Sequence, residues 1–254
     1  MDSLRDGPRG GADSGVEASE ASDSDRRALV VVAHPDDETL WVGGTMLMYP
    51  DWSWRVVSLC RGTDPDRRPR FFGAMTRLGG RGDMGDLDDG PEQRPLSGAE
   101  VRKAVRWALQ DTSYDLIVTH SPFGEYTRHL RHEEVGRAAL ELWQTGDLST
   151  KELWLFAYSD GGRAHRPMAI EDADLVVSLP EDVWQKKLAI IQEVYDFAPD
   201  SWEVRSSPRT EAFWCFDEPG KALAWQRQCG SRTPCEAASR HARKEGQRES
   251  AAAV

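Results

Sequence analysis

Apolar and polar positions alternate along the chain in a way that predicts strands and helices in turn. Residues 28–33, "ALVVVA", form a continuous apolar run of strand length, as expected of a strand buried on both faces. "DETLWVGGTMLM", 37–48, follows as a helix whose entry suits Pro35 and Asp36. "SWRVVSLC", 53–60, predicts a second strand, and a helix follows from about Arg70 to Leu78. The Gly/Asp-rich segment 79–96 predicts a mobile, surface-exposed loop. Ser97 and Glu100 form a capping box for a helix through Leu109, with Val101, Val105, Ala108 and Leu109 on one face. A third strand is expected over 114–120, a helix from His132, a fourth strand over 151–159, a fifth over 174–179, and a helix over 180–197.

Strands alternating with helices of this length imply βαβ units, and so an α/β fold: a mostly parallel sheet with helices on both faces. In such sheets ligands bind beyond the carboxyl ends of the strands. The 254 residues are enough for one core, and a single domain over 27–226 is expected. Residues 1–26 carry seven acids against three arginines and almost no large apolar residue, which predicts a disordered acidic segment. The stretch from Arg227 to Val254 carries six basic against three acidic side chains and predicts a disordered basic tail.

No run approaches a membrane span, and the N-terminus lacks both the basic start and the apolar core of a signal peptide. A soluble, cytoplasmic protein is the expectation. Cys60, Cys215, Cys229 and Cys235 form no CxxC pair and no disulfide scaffold. The net charge of -11 argues against a nucleic-acid partner, and the arginine-rich stretch at 60–70 reads as a solvated loop.

The first strand ends in His34, Pro35, Asp36, Asp37 and Glu38. Acids in a first helical turn are explained by the macrodipole, but His34 is not. Beyond the third strand, His129 and His132 stand three apart where a helix begins. Three of the six histidines thus fall at or just past predicted strand ends. His34, Asp37 and His132 would supply three metal ligands and leave the fourth position open, the form of a catalytic zinc site.

"AHPDDE" closing a hydrophobic strand, followed about a hundred residues later by an HxxH at a helix start, resembles the PIG-L or LmbE-like family of zinc-dependent N-acetylglucosaminyl deacetylases. The resemblance covers roughly 27–160. It implies a Rossmann-like fold, a divalent metal (zinc, with ferrous iron also suited to the ligands) and removal of an acetyl group from an N-acetylglucosamine-type small-molecule conjugate. On this resemblance His34, Asp37 and His132 are the metal ligands and Asp36 is the general base toward a zinc-bound water. His129 then stabilises the oxyanion or protonates the leaving amine. The second motif reads HLRH where the family commonly has HPDH. Glu133 and Glu134 are both candidates for the missing carboxylate's place and equally for helix-cap acids.

Several residues stay open between two readings. Glu38 either orients His34 or caps the helix, with the cap favoured. Arg61 and Asp64 either meet sugar hydroxyls or form a turn, and His120 either backs the site or sits satisfied in the core. His165 and His241 read as solvent-exposed. Most of the ten tryptophans read as core, with Trp52, Trp54 and Trp202 the least clearly placed. A dinucleotide-binding domain is disfavoured, since the first turn carries acids where a pyrophosphate would need GxGxxG. An amidohydrolase acting on a non-sugar amide and a metal-retaining, non-catalytic binding protein are the surviving alternatives.

Overall fold

The computed structural model describes residues 26–110, 113–126 and 129–230. The two expected disordered segments, except Arg26 and the first residues of the tail, lie outside the described residues, and so do Cys235 and His241. Strand β1 (Arg27–Val32) leads into helix α1 (Asp37–Met48), then β2 (Ser53–Ser58), α2 (Arg67–Leu78), β3 (Arg81–Met84) and α3 (Gly98–Leu109). There follow β4 (Tyr114–Thr119), α4 (Leu130–Thr145), β5 (Thr150–Phe156), and a small ribbon of β6 (Tyr158–Ser159) and β7 (Met168–Ala169). The chain continues with β8 (Leu175–Ser178), α5 (Glu181–Ala189), α6 (Trp202–Ser206), β9 (Thr210–Phe216) and α7 (Pro219–Gly230).

The main sheet has seven strands in the order β3-β2-β1-β4-β5-β9-β8. The strands from β3 to β5 run parallel, whereas β9 pairs antiparallel with β5 and with β8. Successive side chains of a strand point to opposite faces, so β1 is apolar throughout because both faces are covered. Leu29 and Val31 pack with Val101, Val105, Val135 and Trp225. Ala28, Val30 and Val32 pack with Trp41, Met46, Phe71 and Ile191. Burying each such side chain contributes about 2 kcal/mol. Ser97 accepts from the Glu100 N–H, and the four expected positions of α3 are buried.

Four expectations need correction. The segment 79–96 is no free loop: β3 pairs with β2, and Leu87 and Leu96 pack on the core. Its strand was hidden because Gly82 stands where a side chain would meet the Phe71 ring at 2.6 Å, which removes the apolar alternation. The fourth strand breaks at Ala157, its last residues entering the ribbon with β7. The helix expected over 180–197 turns π-helical at Ile190–Val194 and ends there. The tail does not begin at Arg227, because α7 continues to Gly230 with Trp225 and Cys229 buried. Trp52 and Trp54 belong to the core, and Trp202 is 40% exposed.

Candidate metal centre and active site

His34, Asp37, His120 and His132 gather at the carboxyl ends of β1 and β4. The turn leaving β1 is held by the His34 N–H, which donates to Asp37 Oδ2 at 2.9 Å. Asp37 Oδ1 accepts from Trp41 Nε1 one helical turn on. Helix α4 comes close enough to deliver His132 because position 136 is glycine, where a Cβ would stand 2.6 Å from the His120 carbonyl oxygen.

Three ligand atoms converge. His34 Nδ1 lies 3.2 Å from His132 Nε2 and 3.3 Å from Asp37 Oδ2, and His132 Nε2 lies 3.2 Å from Asp37 Oδ2. The edges of a tetrahedron with zinc-like bonds of about 2.0–2.1 Å are about 3.3–3.4 Å, so the triangle matches one face of such a site. Carboxylates stand behind the outer ring nitrogens. His132 Nδ1 meets Glu125 Oε2 at 2.6 Å, and Asp89 Oδ1 lies 3.1 Å from His34 Nε2, off the line of a hydrogen bond. Carboxylates behind the outer nitrogens draw the protons there and leave lone pairs facing one another. Two imidazole lone pairs and a carboxylate oxygen at these distances fit a shared cation.

His120 also approaches Asp37 Oδ2, at 3.5 Å, and these two with His132 form a second possible ligand group. Its Nε2, however, accepts the Ala33 N–H at 2.9 Å, and its Nδ1 faces Glu125 at 3.1 Å. Burial lowers its pKa and the Glu125 charge raises it, with a net rise to about 9. The Ala33 bond opposes a second proton, so His120 is a fully buried supporting histidine with its lone pair already used. Of the two readings left open for it, it backs the site.

Asp36 stands apart from the triangle. Its backbone is in an unusual conformation, φ 124°, a cost that a non-glycine residue bears where the surroundings impose it. What imposes it is Glu38, fully buried, whose Oε2 accepts the Asp36 N–H at 3.0 Å while Oε1 accepts from Thr39 and Tyr195. Glu38 thus secures the helix start, and through it Asp36, without touching His34. Burial and the adjacent Asp37 and Glu38 charges hold the Asp36 carboxyl well above the usual carboxylate range, against the pull of Arg67 at 3.7 Å. Burial also works to raise Asp37, but His132, His120 and His34 outweigh it and keep it well below that range.

His129 precedes α4 and stacks on His132 with ring centroids 4.3 Å apart. It offers a nitrogen within 4.8 Å of ligand atoms of His34 and His132. Burial, with His132 and His34, pushes its pKa down to about 3, so the ring is neutral at pH 7. A cation in the triangle would reinforce this. A cavity of about 420 Å³ opens over the cluster, reaching Asp36, Asp89, Arg61, Tyr126, His129 and Trp202.

Two carboxylates of this site were not found by sequence reasoning. Glu125, from the turn after β4, is fully buried between His120 and His132; those charges overcome its burial and hold its pKa at about 2. Of the two candidates left open between the missing carboxylate's place and a helix-cap acid, Glu133 pairs with Arg137 in the first turn of α4, and Glu134 pairs with Arg131 and the Leu96 N–H. Asp89 comes from the segment expected to be mobile and is held by Arg61 at 2.8 Å and Gln93 at 2.7 Å. Burial works to raise its pKa, and the His34, Gln93 and Arg61 contacts lower it overall. Arg131, inside HLRH, is fully buried and bonds the carbonyls of Asp88 and Arg94. The departure from HPDH therefore ties α4 to the segment that carries Asp89. Asp64 accepts from the Asp66 and Arg67 N–H groups and so takes the turn reading, whereas Arg61 braces Asp89 and also lines the cavity. His165 is exposed, as expected.

Residues 29–143 match the family model of PIG-L, described as GlcNAc-PI de-N-acetylase. Over that span, just under half of the chain, the sequence is similar to the PIG-L family. Its sheet superposes with N,N'-diacetylchitobiose deacetylase from Pyrococcus horikoshii at a TM-score of 0.57, with 20% identity over 76% of this chain and 84% of that one. A zinc-inhibited form of teicoplanin deacetylase is similar at a TM-score of 0.54, with 15% identity over 74% of this chain and 97% of that one. An uncharacterised protein of Acanthamoeba polyphaga mimivirus is 20% identical over 66% of this chain and 75% of its own length. The chain thus shares the mostly parallel α/β architecture of these deacetylases. Among the described residues no helix is long and apolar enough to cross a membrane.

Proposed function

We propose that the protein is a metal-dependent deacetylase that hydrolyses the acetamide of an N-acetylglucosamine-type conjugate. The observation that carries this reading is the division of labour at the β1 end. His34 Nδ1, Asp37 Oδ2 and His132 Nε2 converge within 3.2–3.3 Å, while Asp36, adjacent in the chain, faces the cavity outside that triangle. His34, Asp37 and His132 would hold the metal, with zinc and ferrous iron both suited to this donor set. When bound, a divalent metal polarises an amide carbonyl and acidifies a coordinated water.

The remaining steps fall to this chain's own groups. Asp36 accepts the proton of the attacking water and returns it to the amine nitrogen, without which the amine is a poor leaving group. A carboxyl with a raised pKa suits both halves of that cycle. His129, neutral, donates an N–H to the carbonyl oxygen as negative charge builds there, an effect worth about 3 kcal/mol in comparable sites. This favours the oxyanion role over the protonated-donor role. Trp202, exposed at the cavity mouth and 4.9 Å from the Tyr126 ring, gives a sugar ring an aromatic face. That platform favours a sugar conjugate over a non-sugar amide.

The test is release of free amine from a panel of N-acetylglucosamine conjugates by the zinc-loaded protein, with Asp36→Ala as control. Amine from at least one conjugate, and little from the variant, is the expected result. Equal release by the variant would refute the mechanism. Metal retained without amine from any conjugate, sugar or not, would leave a binding protein instead.

A further inference from the structure

The hold that Glu38 keeps on Asp36 has a second end. Tyr195 donates its O–H to Glu38 Oε1 at 2.7 Å, and the other oxygen of that carboxylate accepts the Asp36 N–H at 3.0 Å. Tyr195 and Glu38 are both buried, where a hydrogen bond to a carboxylate is strong. The same segment reaches Asp36 by another path. The Arg67 guanidinium lies 4.8 Å from the centre of the Phe197 ring and stands 3.7 Å from Asp36 Oδ2. Both contacts come from beyond the span 29–143 that matches the family model.

The backbone there is shaped for this reach. Lys187 of α5 is fully buried and pairs at 2.7 Å with Glu211, whose carboxylate also accepts from the Gly44 and Thr45 N–H groups of α1. Tyr195 follows eight residues after Lys187. In a regular helix that spacing would turn it about 80° away. The π-turn at Ile190–Val194 absorbs about one extra residue, so both side chains lie on the side of α1. Asp196 is then left-handed, at φ 62°, between the Tyr195 and Phe197 rings. Arg70 of α2 fastens the turn by donating to the Val194 carbonyl and the Asp196 carboxylate. A π-turn and a left-handed non-glycine residue both cost free energy, and here both serve to place Tyr195.

We propose that Tyr195 is a positioning residue for Asp36: its O–H fixes the Glu38 carboxylate, and that carboxylate fixes the backbone from which Asp36 presents its own. Asp36 sits at φ 124°, a conformation that relaxes unless its N–H is held. Without the Tyr195 hydroxyl, Glu38 Oε1 keeps only the Thr39 hydroxyl, on the neighbouring residue, and the carboxylate is free to turn. Asp36 then spends part of its time out of line with the attacking water, which costs turnover and not substrate binding. This inference rests on the deacetylase reading and adds a residue which that reading does not use.

The test is Tyr195→Phe, which keeps the buried ring and removes only the O–H. It is set beside Tyr158→Phe, which removes a buried O–H bond to α1 at the Trp41 carbonyl. Amide exchange followed by NMR on the full chain reads the hold directly. Tyr195→Phe should speed exchange of the Asp36 N–H about tenfold and leave Gly43 and Met46 of α1 unchanged, whereas Tyr158→Phe should leave Asp36 unchanged. On the metal-loaded protein, with methyl N-acetylglucosaminide as probe, Tyr195→Phe should lower kcat about tenfold at unchanged KM and metal content. Unchanged exchange at Asp36 overturns the proposal. So does a rise shared equally by Gly43 and Met46, or matched in Tyr158→Phe, because the hydroxyl then merely stabilises α1. A loss that falls on KM or metal content with kcat intact overturns it as well. If the wild type releases no amine, the deacetylase reading has failed on this probe, and the exchange rates alone decide the role of Tyr195.

Discussion

Glu125 and Asp89 each set a carboxylate behind a histidine of the candidate metal triangle, and they do so in opposite styles. Glu125 is fully buried, lies 2.6 Å from His132 Nδ1, and shares its charge with His120. Asp89 comes from the segment after β3, stands 3.1 Å from His34 Nε2 out of line, and is restrained by the exposed Arg61 and the part-buried Gln93. The buried brace is aligned and has no competing water; the other is secured through intermediaries. The His132 side should therefore be the rigid half of the centre and the His34 side the adjustable half.

That contrast can be broken in order of effect. His132→Ala should abolish metal retention, read as metal per chain after dialysis, because two protein ligands cannot hold the ion. Glu125→Gln should weaken metal affinity by up to about 100-fold, read by competition with a chelator. In the metal-free protein it should also cost about 3 kcal/mol, since His132 loses its buried counter-charge. The sign with pH follows from the depressed pKa: Glu125 stabilises the fold fully above its ordinary value of 4.5, and that contribution is lost as pH falls toward about 2. The gap in unfolding free energy between wild type and Glu125→Gln should then narrow over that interval. Asp89→Asn should weaken metal binding by about tenfold, and an effect equal to that of Glu125→Gln would erase the proposed difference between the halves. Arg61→Ala should act in the same direction as Asp89→Asn but more weakly, since Gln93 still holds the carboxylate.

The legible part of the fold was the part with period and punctuation. The run Ala28–Val32 is apolar at every position because both faces of β1 are covered, and the acids and Pro35 mark the start of α1. The capping box at Ser97 placed α3 correctly for the same reason. The antiparallel end of the sheet was not read, although Thr210–Phe216 has the aromatic, apolar composition of a strand. Strand β3 left no such trace, since its small and polar residues fit an edge packed against Phe71.

The grouping of His34, Asp37, His129 and His132 in space follows from spacing within two motifs, one at a strand end and one at a helix start. Their supports follow from no such spacing. Glu125 lies in an aperiodic turn, and its use depends on bringing His120 and His132 within reach of one carboxylate. Asp89 is one acid among several in a Gly/Asp-rich segment, distinguished only by where Arg131 fastens that segment. The signal available in sequence was negative: an arginine inside HLRH, with no charge partner implied by the motif itself.

Under the proposed function Asp36 and Asp37, neighbours in the chain, do different work, one moving protons and the other holding metal. The most direct measurement is bound metal and turnover on the same sample of Asp36→Asn. About one metal per chain is expected, as in the wild type, with amine release lowered by a factor of about 100 to 10,000. Loss of metal in proportion to activity, or turnover at the wild-type rate, would contradict it.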